Sequence, residues 1–248
     1  MLRGAKEIRE IGFYRQAEIA LAVQRPIRIV VPFKLDNAKS RLAPTLNPEE
    51  RRLLAFAMLK DVLDSVLGFG PVTVLSRPGL DAAEVGRDVE ILESELDLND
   101  ALNAFITGEA SRGWPSDILI VMADLALLAQ HDVAGIISCQ GDVVLCPGRG
   151  GGTNMILIRS PQFCTCYLGL SFPRHQEYAR KAGLAATVFE SFRAGSDIDC
   201  PEDLAEVLLH GRGRASKTLE SLGFTLPESG HAGCVIVQAR VGHSDGKT

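Results

Sequence analysis

The chain has 248 residues, 46% of them hydrophobic and 23% charged, with a formal net charge of −5. That is the composition of an ordinary globular protein of one large or two small domains, and the acid excess excludes a broad nucleic-acid footprint while leaving room for a local basic cluster that takes an anion. The longest apolar stretch, Ile118 to Ala129, is broken by Asp124 and is too short to span a bilayer, so no membrane association is expected.

Residues 1–25 read as an appended helical extension, charged throughout and without the apolar centre of a secretory signal. The run "IRIVVPF" (27–33) is short and β-branched, as a buried strand requires. A helix is predicted over 47–68, with Asn47 as N-cap, Pro48 at the first helical position and Glu50 three residues after the cap. Strands follow at 71–76 and 89–92, a helix at 97–111, and the most apolar strand at 117–124. Two further strands, 142–147 and 154–160, flank the glycine-rich stretch "PGRGGGTN". A helix at 174–183, a strand at 186–191 and a helix at 201–211 complete the core. Strands alternating with helices predict an α/β domain over 26–225 around a mainly parallel sheet, with a small antiparallel insertion at the glycine loop. Residues 226–248 are expected to be a C-terminal tail. The six cysteines form no CxxC pair and read as reduced residues of a cytoplasmic protein.

In open α/β sheets ligands bind beyond the carboxyl ends of the strands. After the first strand come Lys34, Lys39 and Arg41, three cations within eight residues, suited to a triphosphate or to a plain solvated loop. After the central strand comes Asp124, a magnesium ligand or a helix cap. "GSDIDCPEDL" adds Asp197 and Asp199, which share one side in extended backbone and repel unless a cation lies between them; Asp199 alone could instead cap the next helix. The glycine loop joins two strands, so it lacks the helix N-terminus of a nucleotide phosphate loop. It is either a loose hairpin or a nest of N–H groups beside the Thr153 hydroxyl. A second loop of small residues offers Gly169 and Ser171. The five histidines are scattered, and each reads as a surface or satisfied core residue.

Together the stretches "PFKLDNAKSRLAPTL", "DLNDALN", "ILIVMADLALL", "PGRGGGTNMILI", "SFPRH" and "AGSDIDCPEDLAEVLLHG" resemble the 2-phospho-L-lactate guanylyltransferases of coenzyme F(420) biosynthesis, in order over most of residues 26–225. The resemblance implies a Rossmann-like nucleotide-diphospho-sugar transferase fold with helices on both sheet faces. It implies condensation of GTP with 2-phospho-L-lactate or phosphoenolpyruvate, release of pyrophosphate, and Mg2+ as cofactor. It assigns Asp124, Asp197 and Asp199 to the metal, and Lys34, Lys39 and Arg41 to the triphosphate. Asn99 and Asn103 go to the nucleotide side, and Thr153, Gly169 and Ser171 to the acceptor side. It implies no nucleic-acid partner and leaves room for a homodimer. Relatives often have proline where this chain has Ala126, and glycine or serine where it has Leu170, a difference that bears on the acceptor pocket. On the residues alone, another nucleotidyl- or glycosyltransferase and a non-catalytic nucleotide-binding protein stay open.

Overall fold

The structure, a computed structural model, describes residues 25–34, 39–226 and 237–238. Residues 1–24 of the predicted N-terminal extension lie outside the described residues, as do Leu35 to Ala38 of the lysine-rich loop and most of the predicted tail.

Seven strands form one sheet: β1 (Ile27–Phe33), β2 (Val72–Ser76), β3 (Glu90–Glu93), β4 (Asp117–Val121), β5 (Val143–Pro147), β6 (Thr153–Ile158) and β7 (Ala186–Val188), in the order β3-β2-β1-β4-β6-β5-β7. All neighbours are parallel except β6, which runs antiparallel to both β4 and β5. The expected antiparallel insertion is therefore a single strand inside the sheet. Because β6 runs backwards, its first residue, Thr153, lies at the same sheet edge as the carboxyl ends of its neighbours, opposite Pro147.

The central strands are buried on both faces, which explains their unbroken apolar runs. On one face α1 (Pro48–Val66) and α4 (Gln130–Ser138) pack Leu59, Leu63, Val133 and Ile136 against Ile29, Val31 and Leu119. On the other, α3 (Leu98–Ser111) and α5 (Ser171–Lys181) pack Leu102, Phe105 and Ala179 against Val30, Ile118 and Ile156. A third cluster joins the outer side of α1, through Leu54 and Met58, to α6 (Asp203–His210) and α7 (Arg214–Ser221). A short helix, α2 (Ala82–Val85), follows β2. Val237–Gln238 (β9), within the segment predicted as tail, pairs antiparallel with Phe224–Thr225 (β8).

Local signals explain the elements that the sequence predicts. The Glu50 N–H donates to Asn47 Oδ1 at 3.0 Å and the Asn47 N–H donates to Glu50 Oε2 at 2.8 Å, closing a reciprocal capping box on α1. Two of the helices without a side-chain N-cap draw on distant residues. α4 carries Gly135 and two isoleucines, yet forms because Gly135 lets the Phe189 ring approach where a Cβ would stand 2.7 Å away. α7 is largely polar and is capped from a distant element: Asp61 of α1, 8% exposed, accepts from the Arg214 N–H at 2.7 Å and the Ala215 N–H at 2.8 Å.

Asp61→Ala strips α7 of its N-terminal acceptor and leaves two donors near the core unsatisfied. The expected loss is about 2–3 kcal/mol of stability, read as a lower denaturant midpoint. Asp61→Asn, which keeps one acceptor, should lose less.

Candidate active site

The carboxyl edge of the sheet opens into a cavity of about 550 Å³, in the size range of small-molecule sites. Lys34, Lys39, Arg41, Asp124 and Asp199 line one part of it. The part beyond β2 and β3 is lined by Ser76, Arg77, Ser94 and Asp97, none of which stood out in the sequence.

At the cavity wall the Lys39 ammonium donates to Asp124 Oδ2 at 2.6 Å and to Asp199 Oδ1 at 2.7 Å. Arg41 adds a looser contact to Asp199 Oδ2 at 3.4 Å. The Lys39 side chain is only 12% exposed. Burial alone would lower its pKa, but the two carboxylates outweigh that and hold it above the ordinary lysine range. Its backbone is left-handed, with φ 55°. A lysine rarely adopts that conformation without a reason in its surroundings, and here it faces two carboxylates.

Neither aspartate of this cluster caps a helix. The N-terminus of α4 begins six residues after Asp124, and its Ala129 N–H is taken by Asp132 at 3.0 Å. Asp203 Oδ2 accepts from the backbone N–H groups of Asp199 and Cys200, which frees the Asp199 side chain. Asp124 Oδ1 is buried and, among the described residues, has no hydrogen-bond partner. Asp197 accepts from Asn154 Nδ2 at 3.1 Å. Its pKa is raised, first by burial and then by the charges of Asp124 and Asp199, against a lowering by the Asn154 bond. The Ile198 N–H donates to the Asp124 carbonyl at 3.2 Å, which keeps the two acidic segments side by side. Among the described residues no three of His, Cys, Asp and Glu stand close enough to hold one ion as they are arranged; Lys39 fills the space between two of the carboxylates.

Asn154 passed unnoticed in the sequence. It is the extra residue of a β-bulge: Cys146 faces Met155 and Pro147 faces Thr153, so Asn154 has no partner on β5. The bulge aims its amide at Asp197 and at the Ala194 carbonyl. Gly148 is required beside it, because a Cβ there would lie 2.5 Å from Asn154 Oδ1 and 2.9 Å from Asp197 Oδ1. In the glycine loop, the N–H groups of Gly148, Arg149 and Gly151 are bonded to the carbonyls of Gly152, Gly195 and Gly148. The Arg149 guanidinium turns away to Asp203 and Glu206 of α6. What remains of an anion nest is smaller than the glycine count suggests. Gly151 has φ 79° and sits beneath Leu170, which is 61% exposed.

Thr153 and Ser171 come together, with the Ser171 hydroxyl 3.2 Å from Thr153 Oγ1, and Gly169 lies two residues before Ser171. Neither Asn99 nor Asn103 lines the cavity. Asn99 Oδ1 accepts from the Tyr167 N–H at 2.5 Å. Asn103 donates to the Thr165 carbonyl at 3.1 Å and accepts its N–H at 2.8 Å. The two asparagines clamp the 165–167 segment that leads to Ser171, while Asp97, Leu98 and Ala101 of the same motif line the cavity.

The sheet order with one reversed strand, the cavity beyond its carboxyl ends and the acid–lysine cluster define a nucleotidyltransferase of the nucleotide-diphospho-sugar transferase fold. Solved structures share that fold. A nucleotidyl transferase from Methanothermobacter thermautotrophicus superposes with a TM-score of 0.52 at 17% identity, covering 79% of this chain and 98% of its own. A Desulfovibrio desulfuricans G20 protein assigned to the nucleotide-diphospho-sugar transferases reaches 0.65 at 16% identity, covering 80% and 95%. The chain belongs to the family described as "Guanylyl transferase CofC like", whose sequence profile matches residues 27–240. It is 50% identical over 206 residues to the 2-phospho-L-lactate guanylyltransferase of Methanothrix thermoacetophila, covering 83% of this chain and 93% of that one. It is 41% identical over 215 residues to that of Methanosarcina acetivorans, covering 85% and 100%. Among the described residues no helix is long and apolar enough to cross a membrane.

His175, wholly buried beside Thr153, is held neutral: burial pushes its pKa from 6.5 down to about 4. Because the folded value lies below the unfolded one, the unfolded chain binds the extra proton between them. This contribution is whole above about pH 6.5 and is lost as the pH falls towards 4, a difference of about 3 kcal/mol for such a shift. Denaturant midpoints should therefore fall between pH 7 and pH 4.5, and more steeply in the parent chain than in His175→Gln. Equal slopes would contradict the burial argument.

Proposed function

We propose that this guanylyltransferase condenses GTP with 2-phospho-L-lactate, giving lactyl-2-diphospho-5′-guanosine and pyrophosphate, in coenzyme F(420) biosynthesis. The observation that carries the reading is the Lys39 ammonium held between Asp124 and Asp199 at the wall of a nucleotide-sized cavity. It is a charge centre built from three separate segments, after β1, after β4 and before α6. The names of the relatives supply the substrates.

In this reaction an oxygen of the acceptor phosphate forms a bond to the α-phosphorus of GTP. The bond from that phosphorus to the bridging oxygen of the β-phosphate breaks, and its electron pair leaves with pyrophosphate. No general base is required, because a phosphate oxygen is already ionised at neutral pH. Lys34, Lys39 and Arg41 neutralise the departing pyrophosphate. The family resemblance assigns Thr153, Gly169 and Ser171 to the acceptor. Asn99 and Asn103 act on the acceptor side too, by holding the 165–167 segment.

The donor set fits magnesium: hard carboxylate oxygens, with Asp124 Oδ1 buried and without a partner among the described residues, and an ammonium already standing where positive charge is called for. Held by Asp124, Asp197 and Asp199, magnesium supplies charge that offsets the repulsion between the triphosphate and the acceptor anion. With that ion bound, Lys39 would be free to donate to a phosphate oxygen.

Mass spectrometry of products from GTP, magnesium and 2-phospho-L-lactate tests the reading. The lactyl diphosphoguanosine and one pyrophosphate per turnover are expected; the enolpyruvyl product from phosphoenolpyruvate, with none from phospholactate, would reassign the acceptor. Asp124→Asn should lower kcat at least about 100-fold while thermal unfolding stays cooperative, and near-normal turnover would remove Asp124 from the centre. Lys39→Ala should raise the KM for GTP more than that for the acceptor.

A further inference from the structure

We propose that His175 is a positioning residue, fixed in one tautomer, that leaves the Thr153–Ser171 hydroxyl pair one hydrogen-bond donor to offer the acceptor; this rests on the reading of Thr153 as an acceptor contact. The tautomer follows from the backbone. His175 Nε2 lies 2.8 Å from the Cys166 N–H. An amide N–H can only donate, so Nε2 accepts and carries no proton. A neutral imidazole then bears its proton on Nδ1, and burial keeps the ring neutral through physiological pH. Nδ1 lies 2.8 Å from Thr153 Oγ1, so the ring donates to that oxygen.

Proton counting does the rest. Thr153 and Ser171 carry two hydroxyl protons between them. One is used in their mutual bond at 3.2 Å. The imidazole contributes a donor and takes none away, so it cannot absorb the other. One hydroxyl proton is left over, whichever hydroxyl donates to its neighbour. The pair therefore suits a ligand atom that only accepts, such as an oxygen of a phosphate or a carboxylate. With the opposite tautomer, His175 would take that proton and leave the pair with nothing to offer.

The tautomer is itself held from outside. Cys166 sits in the middle of the 165–167 segment, gripped on its two flanks by Asn103 and Asn99 of α3. Phe163 and Tyr167 pack on the imidazole, the latter edge-on with ring centroids 5.0 Å apart, so the ring cannot flip without displacing the core.

The test compares two conservative variants, with KM measured separately for the acceptor and GTP. The Asn side chain at 175 places an amide donor near the former Nδ1 position. The Gln side chain reaches instead towards the Cys166 N–H and loses the donor to Thr153. His175→Gln should raise the acceptor KM about 10-fold or more with the GTP KM changed less than about 3-fold, and His175→Asn should restore most of the loss. In a Thr153→Ala background, His175→Gln should change the acceptor KM no further. Equal effects of the two variants on both KM values, tracking their melting temperatures, would reduce His175 to a core residue and overturn the proposal. So would full additivity with Thr153→Ala. If Thr153→Ala alone leaves the acceptor KM unchanged, the acceptor reading of this loop falls, and the role proposed for His175 falls with it.

Discussion

Lys39 stands between two carboxylates with a third close by, and the site is organised around that imbalance of charge. Asp124, Asp197 and Asp199 come from two segments tied together by the Ile198 to Asp124 backbone bond. Carboxylates gathered in a partly buried place raise one another's pKa unless positive charge compensates them. Lys39 compensates two, at 2.6 and 2.7 Å, while Asp197 has its pKa raised, first by burial and then by the two neighbouring carboxylates. A buried ion pair of this kind contributes little net stability, and breaking one strands a charge. In the proposed reaction its value would lie in exchange: a second cation would take over the carboxylates and leave Lys39 to a phosphate oxygen.

The fold delivers these groups by one topological device. Parallel strands bring only their carboxyl ends to the binding edge, and reversing β6 brings an amino end there too. The strand that enters backwards carries Thr153 and Asn154 straight after the glycine loop. The bulge at Asn154 then divides the two residues, sending Asn154 to Asp197 and leaving Thr153 with Ser171 and His175. The glycines of the loop serve close approach more than anion binding. Gly148 admits the Asn154–Asp197 pair, and three of the loop's N–H groups are bonded within the protein.

Much of this was legible in the sequence where local physics decides. The capping box at Asn47, the β-branched strands and the position of Lys39 and Asp124 just past strand ends all follow from short-range rules. Tertiary physics hid the rest. Helix α7 starts because Asp61, 153 residues earlier, caps it, and α4 forms despite Gly135 because Phe189 packs there. Asp199 could be read as a cap, but helix α6 has no side-chain cap, and Asp203 instead accepts from the Asp199 and Cys200 N–H groups. Asn99 and Asn103 belong to a motif whose first residues line the cavity, but their side chains point across α3 to the 165–167 backbone, a direction that spacing does not reveal. His175 reads correctly as a satisfied core histidine. Only its two partners show what that satisfaction accomplishes.

In the proposed reaction, a metal that arrives with the nucleotide would replace the charge that Lys39 supplies to Asp124 and Asp199. Crystals grown with GTP and manganese in place of magnesium test it through the anomalous signal of the metal. The account predicts a manganese peak within bonding distance of the Asp124 carboxylate, with the Lys39 ammonium moved onto a phosphate oxygen. Manganese bound elsewhere, with Lys39 still bridging Asp124 and Asp199 beside a fully occupied GTP, would contradict it.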